Sequence, residues 1–228
     1  MISKSRISDI RKLHLKKFRD LQRLFIVEGR KSVEALLHSS IGLRDLFVTE
    51  RFLGEHPALL RGVQLTVVTP DEMGRISTLS TPPELLAVAE QPEPEMPPAC
   101  APLLALDRIA DPGNMGTLVR SANWFGIRHV LCSHDCVEFF NPKCIQATMG
   151  AFCDVQVARV DLADFLSWQP ARRRVVGTFL QGEPIQDFAF RPDDILVVGS
   201  ESDGISEAVA RRVSHRVTIP RGAGSGPR

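Results

Sequence analysis

The residues best suited to chemistry lie in the stretch DRIADPGNMGTLVRSANWFGI, residues 107–127. A strand-like run precedes it and a helix is predicted from Asn114, so Gly113 and Gly116 would let a ligand approach unpaired helical N–H groups. Asn114 suits either a helix cap or a ligand contact. Arg120 suits either an ion pair with a structural acid or a phosphate ligand. The two lie six positions apart, nearly two helical turns, and we expect them to project from roughly the same side.

A second polar loop follows a strand-like run in the stretch ILVVGSESDGIS, residues 195–206. The strand is predicted to end at Gly199. Beyond it, Glu201 can either orient a substrate or hold Arg120 in place, and Ser206 fits the N-cap of a following helix. A third strand end, GTFLQG at residues 177–182, also closes on a glycine.

Two other patterns are less suited to a functional site. The segment GAGSG has glycines at positions 222, 224 and 226, which miss the GxGxxG spacing of dinucleotide loops. Cys132, His134 and Cys136 alternate within five residues, but no second ligand pair at finger-like spacing accompanies them. We therefore expect incidental thiols and no metal site.

Strand-like and helical runs alternate along the chain, which predicts an α/β fold. The first ninety residues form a small α/β unit that opens with a basic helix at Arg6–Leu21. From Leu103 on, strands alternate with helices, including one at Asn114–Phe125, and predict a mostly parallel sheet with helices on both faces. Ligands bind beyond the carboxyl ends of such strands. That rule selects the loops after Leu106, Leu180, Gly199 and Ile219.

A proline-rich segment, EQPEPEMPPACAP at residues 90–102, separates the two α/β regions. Proline excludes a regular helix or a central strand, so the natural interpretation is a stiff, extended linker. The predicted organisation is a first domain at 1–90, a linker at 91–102 and a second domain at 103–228.

Charge is distributed unevenly, although the net charge of the chain is only +1. Residues 1–31 hold ten Lys or Arg and three acidic residues, a local net charge of +7. This segment suits an anionic partner, nucleic acid first, or else forms a solvated basic helix face. Aromatic residues make up 6% of the chain and Tyr is absent, so phosphate contact is favoured over base stacking.

The composition also bears on location. No apolar run approaches the roughly 20 residues of a membrane helix, and the N-terminus lacks the apolar core of a signal peptide. The five cysteines are odd in number and cannot all pair within the chain. We expect a cytoplasmic protein with no membrane association.

Several segments together resemble one known family. PGNMGTLVRSANWFGI resembles the first motif of the SpoU (TrmH-type) RNA ribose 2′-O-methyltransferases of the SPOUT superfamily, and VVGSESDGIS resembles their second motif. NPKCIQATMGAF and VTIPRGAGSG resemble two further segments. FIVEGRKSVEALL, residues 25–37, resembles the small RNA-binding domain that often precedes the catalytic one. The segments stand in the family's order, and the resemblance covers essentially the whole chain.

The resemblance implies a SPOUT fold with a C-terminal trefoil knot, a feature nearly absent from other proteins. It also implies S-adenosylmethionine as methyl donor, a homodimer, and a ribose 2′-hydroxyl of rRNA or tRNA as acceptor. The catalytic positions that match are Asn114, Arg120 and Glu201. The cofactor-contacting positions are Thr178, Leu180, Gly199 and Ile219. The cations expected to contact RNA are Lys16, Lys17, Arg19, Arg30, Lys31 and Arg120.

Two departures from the family pattern leave alternatives open. Ser200 and Ser202 replace the usual Asn and Gly of the second motif. The third motif, a Ser-Leu-Asn stretch, should follow Arg228 and is absent, so we expect the sequence to be incomplete at this end. Three functions compete: a ribose methyltransferase, an RNA-binding homologue without activity, and a nucleotide-dependent enzyme using GAGSG, which the glycine spacing disfavours.

Overall fold

The structure, a computed structural model, describes residues 2–220. They group into two compact units. The first unit contains the residues before Pro94 together with Pro112–Ser121 and Glu138–Asp154. The second unit contains Pro94–Asp111, Ala122–Val137 and the chain from Val155 on. No helix within 2–220 is long and apolar enough to cross a membrane.

The first unit is a four-stranded mixed sheet with surrounding helices. Its strands stand in the order β1-β4-β2-β3, and the β1/β4 and β4/β2 pairs are antiparallel while β2/β3 is parallel. Its elements are α1 (Lys4–Lys12), α2 (Lys16–Gln22), β1 (Leu24–Glu28), α3 (Arg30–Leu37), β2 (Leu43–Thr49), α4 (Glu50–Glu55), β3 (Thr66–Val68), α5 (Pro70–Ile76) and β4 (Leu85–Glu90), with α6 (Pro112–Trp124) as far as Ser121, α7 (Pro142–Thr148) and a 3-10 helix (Ala151–Cys153).

Both faces of this sheet are buried, because successive side chains of a strand point to opposite sides. Phe25 and Val27 belong to one apolar core, whereas Ile26 between them belongs to another. The first core also takes side chains from the 138–154 segment. The ring of Phe25 lies 4.8 Å from that of Phe140 and 5.7 Å from that of Phe152. This packing places α7 beside β1.

The predicted basic helix at Arg6–Leu21 is wrong in one respect, because the chain forms two helices there, α1 and α2. Leu15 between them is extended, with φ −102° and ψ 130°. Leu13 is buried, and a ring nitrogen of His14 lies 3.0 Å from the carbonyl oxygen of Ile76. These contacts come from residues distant in sequence, so helical periodicity could not reveal the break.

Helices α4 and α5 were not predicted, although α5 carries a sequence signal. Thr69 accepts a hydrogen bond from the N–H of Glu72, whose carboxylate accepts one from the N–H of Thr69. This capping box, with Pro70 at the first helical position, marks a helix start in the sequence TPDE.

The second unit contains a six-stranded sheet in the order β10-β8-β9-β5-β6-β7, and every neighbouring pair is parallel. The predicted parallel α/β domain is confirmed. Its elements are β5 (Leu103–Asp107), the end of α6, β6 (His129–Cys132), β7 (Gln156–Arg159), α8 (Leu162–Ser167), β8 (Val175–Pro184), β9 (Ile195–Gly199), α9 (Glu207–Ala210) and β10 (His215–Thr218). The predicted trefoil knot stays a prediction, since residues 221–228 lie outside the described range.

The strand order creates a switch point between β5 and β9. From β5 the chain proceeds outward to β6 and β7, and the later strands lie on the opposite side of β5. Asp107 and Gly199, the last residues of β5 and β9, are partners in register. Ligands of parallel sheets bind where strand order reverses, beyond the carboxyl ends. The two polar loops singled out from the sequence therefore follow adjacent strands.

Helix α6 begins at Pro112, two residues earlier than predicted. Asn114 is therefore inside the first turn and is not the N-cap. Proline suits the first helical position because its missing N–H would have no helical partner there. Six residues at about 100° each place Asn114 and Arg120 about 120° apart around the axis, so the predicted common side is only approximate.

One further predicted bound changes, because strand β8 extends past Leu180 to Pro184. The helix after Ser206, α9, is a single turn, Glu207–Ala210.

Candidate functional site

The candidate site begins at the carboxyl end of β5. Asp107 is buried, with 2% of its surface exposed, and its Oδ2 accepts a hydrogen bond of 2.6 Å from the N–H of Ser206. This contact fastens the start of α9 to the end of β5. Asp107 is not among the predicted site residues, although an acid that ends an apolar strand run is a sequence signal for such a role.

The residues after Asp107 are held by the segment that follows β6. The N–H of Arg108 donates to Ser133 Oγ at 2.9 Å, and the N–H of Val137 donates to the carbonyl oxygen of Ile109 at 2.8 Å. Arg108 has φ +58°, a left-handed conformation that costs energy in a residue other than glycine. The loop between β5 and α6 is therefore held in place by hydrogen bonds to the segment that follows β6.

Cys136 packs against this loop and contacts its backbone. Its Sγ lies 3.2 Å from the carbonyl oxygen of Leu106 and 3.3 Å from the N–H of Ile109. A hydrogen bond from Cys132 is the main cause that lowers the pKa of Cys136 to about 6, and hydrogen bonds from Ser133 and Ile109 add to it against the effect of burial. Cys136 therefore has a structural role, which is to hold the loop after β5 in place. Within residues 2–220 no group of three His, Cys, Asp or Glu is placed to hold a metal ion.

The loop after β9 is a tight turn that folds back over Gly199. Backbone hydrogen bonds of 3.1 and 3.0 Å join Ser200 and Gly204, and Ser200 Oγ accepts a further one from the N–H of Asp203 at 3.1 Å. A Cβ on Gly199 would lie closer than 3.0 Å to backbone atoms of Gly204 and Ile205. Only glycine permits this approach. Serine at position 200 therefore supports the turn, and Glu201 lies exposed at its tip.

Arg108 also reaches the loop after β9. Its Nη2 lies 3.4 Å from the carbonyl oxygen of Gly204. Its Nε is buried and makes no hydrogen bond to any residue that the structure describes. Arg108 therefore bridges the two loops of the switch point and retains an unused donor.

The four predicted cofactor positions lie on or beside three adjacent strands, β10, β8 and β9. Thr178 Oγ1 donates to the carbonyl oxygen of Val197 at 3.2 Å, which ties β8 to β9. Leu180 and Ile219 are apolar but 93% and 69% exposed. Leu180 lies within β8 and Ile219 directly follows β10, and their exposed apolar side chains offer a surface on which a flat, apolar-faced ligand can pack.

Helix α6 carries Asn114 and Arg120, both of them exposed. The guanidinium of Arg120 makes no hydrogen bond or ion pair with another residue of the range 2–220. A Cβ on Gly116 would lie closer than 3.0 Å to the carbonyl oxygen of Cys144 and to Ala147, so α6 packs closely on α7. This close contact fixes the part of α6 from which Arg120 projects.

The predicted RNA-contacting cations of the first unit are differently placed. Lys17 and Lys31 are exposed. Lys16 is exposed but pairs with Asp20 at 2.6 Å, and Arg30 pairs with Glu34 at 2.6 Å. Part of the predicted basic surface is therefore already neutralised within the chain.

Arg19 departs from the prediction, because it is 2% exposed and faces inward. Its guanidinium pairs with Glu138 through Nη2 and through Nε at 3.1 Å, and Nη1 donates to the carbonyl oxygen of Leu13 at 2.7 Å. Each edge of the guanidinium is therefore used within the protein. Arg19 fastens the start of the 138–154 segment to α2 and is not retained as an RNA ligand.

Comparison with known proteins agrees with this architecture. The SpoU rRNA Methylase family profile matches residues 101–225. The MRM3-like substrate binding domain profile matches residues 4–87. The chain is 29% identical to the 23S rRNA (guanosine(2553)-2′-O)-methyltransferase RlmP of Bacillus subtilis, over 94% of this chain and 87% of that protein.

Solved structures give the same result. A TrmH-family protein from Porphyromonas gingivalis superimposes with a TM-score of 0.85 and 35% identity, covering 99% of this chain and 91% of that one. An AdoMet-bound rRNA methyltransferase from Sinorhizobium meliloti superimposes with a TM-score of 0.82 and 27% identity, covering 100% and 91%. The match to the family profile spans more than half of the chain, and the protein therefore belongs to the SpoU rRNA methylase family.

Proposed function

We propose that this protein transfers the methyl group of S-adenosylmethionine to a ribose 2′-hydroxyl of structured RNA, with ribosomal RNA as the first candidate. The observation that carries the proposal is the switch point between β5 and β9, where two fixed polar loops follow adjacent parallel strands. It is supported by membership of the SpoU family and by the similarity to the B. subtilis 23S rRNA enzyme over most of both chains.

The residues beside β9 suit S-adenosylmethionine in their chemistry. Leu180 and Ile219 expose apolar surface for an adenine ring, and the turn at Gly199 brings backbone groups to the strand ends. When bound, the cofactor supplies a methyl group already activated on a sulfonium centre. The chain therefore needs to align the ribose hydroxyl and exclude water, and it does not have to generate a strong nucleophile.

Arg120 is assigned to the phosphate next to the target ribose, because its guanidinium is exposed and forms no hydrogen bond or ion pair with another residue of 2–220. Asn114 and Glu201 are assigned to holding the loop and the hydroxyl. Arginine is a poor general base, since its guanidinium stays protonated in proteins. Its part is therefore to bind and orient an anion.

The assembly, location and domain organisation follow from the same proposal. Trp124 and Phe125 at the end of α6 are 86% and 79% exposed, and large exposed apolar side chains suit a homodimer contact. Sedimentation equilibrium measures the mass of the assembly and should give twice the mass of the chain.

We place the protein in the cytoplasm with its RNA. We also propose an RNA-binding domain at 1–90, a linker at 91–102 and a catalytic domain at 103–228. The profile matches at 4–87 and 101–225 support that division.

Calorimetric titration separates this function from an RNA-binding homologue without activity. A methyltransferase should bind S-adenosylmethionine and S-adenosylhomocysteine, and should transfer a labelled methyl group to 23S rRNA. RNA binding without cofactor binding would instead support the inactive homologue. Mapping 2′-O-methyl sites in RNA from a strain that lacks the gene then identifies the nucleotide.

Replacing Arg120 tests its assigned role. Arg120→Lys keeps the charge and loses the planar fork of donors, so it should lower both RNA affinity and methyl transfer while leaving S-adenosylhomocysteine binding unchanged. A variant with normal methylation and normal RNA affinity would remove Arg120 from the phosphate position.

A further inference from the structure

A basic groove runs across the first unit, and none of the cations predicted to contact RNA is among its lining residues. It has a volume of about 880 Å³ and is lined by α1, α5 with the loop after it, the start of α6, and α7. Three of its lining residues are the exposed cations Arg11, Arg75 and Lys143. None of its lining residues is acidic.

The three cations are not neutralised by the described part of the chain. Arg11, Arg75 and Lys143 form no ion pair with any residue in 2–220, whereas Lys16 and Arg30 each have an intrachain carboxylate partner. A concave surface with cations of one sign and low-dielectric walls concentrates the field at its floor. An anionic partner in this groove therefore meets positive charge that no carboxylate within residues 2–220 already neutralises.

The groove has fixed walls. The buried carboxylate of Glu28 accepts hydrogen bonds from Ser77 Oγ at 2.6 Å, from the N–H of Thr78 at 3.1 Å and from Thr78 Oγ1, which secures the loop after α5. A ring nitrogen of His14 lies 3.0 Å from the carbonyl oxygen of Ile76, joining the ends of α1 and α5. The cations therefore project from a preorganised surface.

The side of the groove at the start of α7 carries a further hydrogen-bond donor, the side chain of Asn141. Asn141 Oδ1 accepts a hydrogen bond of 3.0 Å from the N–H of Lys143 as the cap of α7, and the amide nitrogen of Asn141 is the donor group. Pro112, the first residue of the helix that bears Arg120, also lines the groove. No aromatic residue lines it except the imidazole of His14, which suits phosphate contact better than base stacking.

We propose that this groove is a track for the phosphate backbone of the RNA substrate, with Arg11, Arg75 and Lys143 as phosphate ligands. The inference rests on the proposed function and extends it to a surface outside the methyl-transfer loops. RNA is favoured over an acidic protein because most of the lining comes from residues within the substrate binding domain match at 4–87. The groove sets affinity and register, and it does not read the base sequence.

The test compares two triple variants of the full chain, Arg11→Ala/Arg75→Ala/Lys143→Ala and Arg44→Ala/Arg61→Ala/Arg212→Ala. Both remove three exposed cations, but only the first set lines the groove. Binding to a 23S rRNA transcript is measured by filter retention at several salt concentrations. Thermal unfolding and calorimetric titration with S-adenosylhomocysteine show that each variant is folded and retains its cofactor site.

The groove variant should bind RNA on the order of 100-fold more weakly at about 0.1 M salt, and its log–log salt slope should fall by roughly 2 to 3. S-adenosylhomocysteine affinity should be unchanged, and the RNA concentration at half-maximal methylation should rise. The control variant should lose much less affinity. The charge-conserving variant Arg11→Lys/Arg75→Lys/Lys143→Arg should retain most binding, since a phosphate contact needs charge first.

Equal RNA affinity and equal salt slope in the groove variant and the wild type would overturn the inference. Tighter binding to polyglutamate than to RNA, lost in the groove variant, would also overturn it and assign the groove to an acidic protein. If the wild type fails to methylate RNA but the groove variant still loses RNA binding as predicted, the groove stands and the proposed methyl transfer falls.

Discussion

Gly199 offers a direct test of the loop that we assign to the cofactor. It ends β9, and the turn after it folds back over its Cα. A Cβ added by Gly199→Ala would lie closer than 3.0 Å to backbone atoms of Gly204 and Ile205. Carbon atoms in ordinary contact are about 3.5–4.0 Å apart, so the turn must retreat by more than about 1 Å.

The expected cost follows from that displacement. Adding a methyl group to a close-packed site typically costs about 1–3 kcal/mol of the free energy of unfolding. We expect the upper part of that range, because backbone atoms cannot rotate away as a side chain can. A misplacement of about 1 Å in a binding site can cost about 100-fold. S-adenosylhomocysteine should therefore bind roughly 10- to 100-fold more weakly.

Chemical denaturation measures the stability change and calorimetric titration measures the affinity. Gly54→Ala is the matched control, since a Cβ there meets nothing within 4 Å and Gly54 lies inside α4. It should leave cofactor affinity unchanged and raise stability by about 0.4–1 kcal/mol. If Gly199→Ala bound S-adenosylhomocysteine like the wild type, the turn after β9 would not be part of the cofactor site.

Three further predictions concern the fold that supports the site. Arg19→Ala should lower the free energy of unfolding by about 3–5 kcal/mol, because it leaves the Glu138 carboxylate unpaired; a double-mutant cycle with Glu138→Gln should show strong coupling, and additive losses would contradict this. Burial acts to raise the pKa of Asp194, but hydrogen bonds from Arg174 and a backbone N–H outweigh it and hold the pKa below its usual value. Asp194→Asn should therefore destabilise strongly at pH 7 and progressively less as the pH falls below about 4, and an equal loss at pH 7 and pH 3 would refute the assignment. Because the pKa of Cys136 is lowered to about 6, its contribution grows as the pH rises from there toward the ordinary thiol value, so Cys136→Ser should cost more stability at pH 9 than at pH 5 in denaturation measurements.

Much of the architecture could be predicted because its signals are local. The apolar runs at 103–106 and 195–199 predict buried strands, and both are confirmed as central strands of a parallel sheet. Glycine at 199 ends its strand as expected. The family could be predicted for the same reason, since its motifs are short continuous segments of the chain.

The cationic residues could not be sorted from sequence. Arg19 and Lys17 stand in the same basic helix, yet Arg19 is buried against Glu138 and Lys17 is exposed. A charge is available to RNA only if no carboxylate of the protein already neutralises it. That carboxylate lies 119 positions away along the chain.

The sequence by itself determined the central strands of the parallel sheet and the polar loops that follow them, because hydrophobic periodicity and loop composition act over a few neighbouring positions. Tertiary structure decided which loops face each other and which cations stay free. Asp107 contacts Ser206 across 99 residues, and Arg11, Arg75 and Lys143 meet in one groove only when α1, α5 and α7 are packed together. Such contacts depend on strand order and helix packing, which no local pattern of residues encodes.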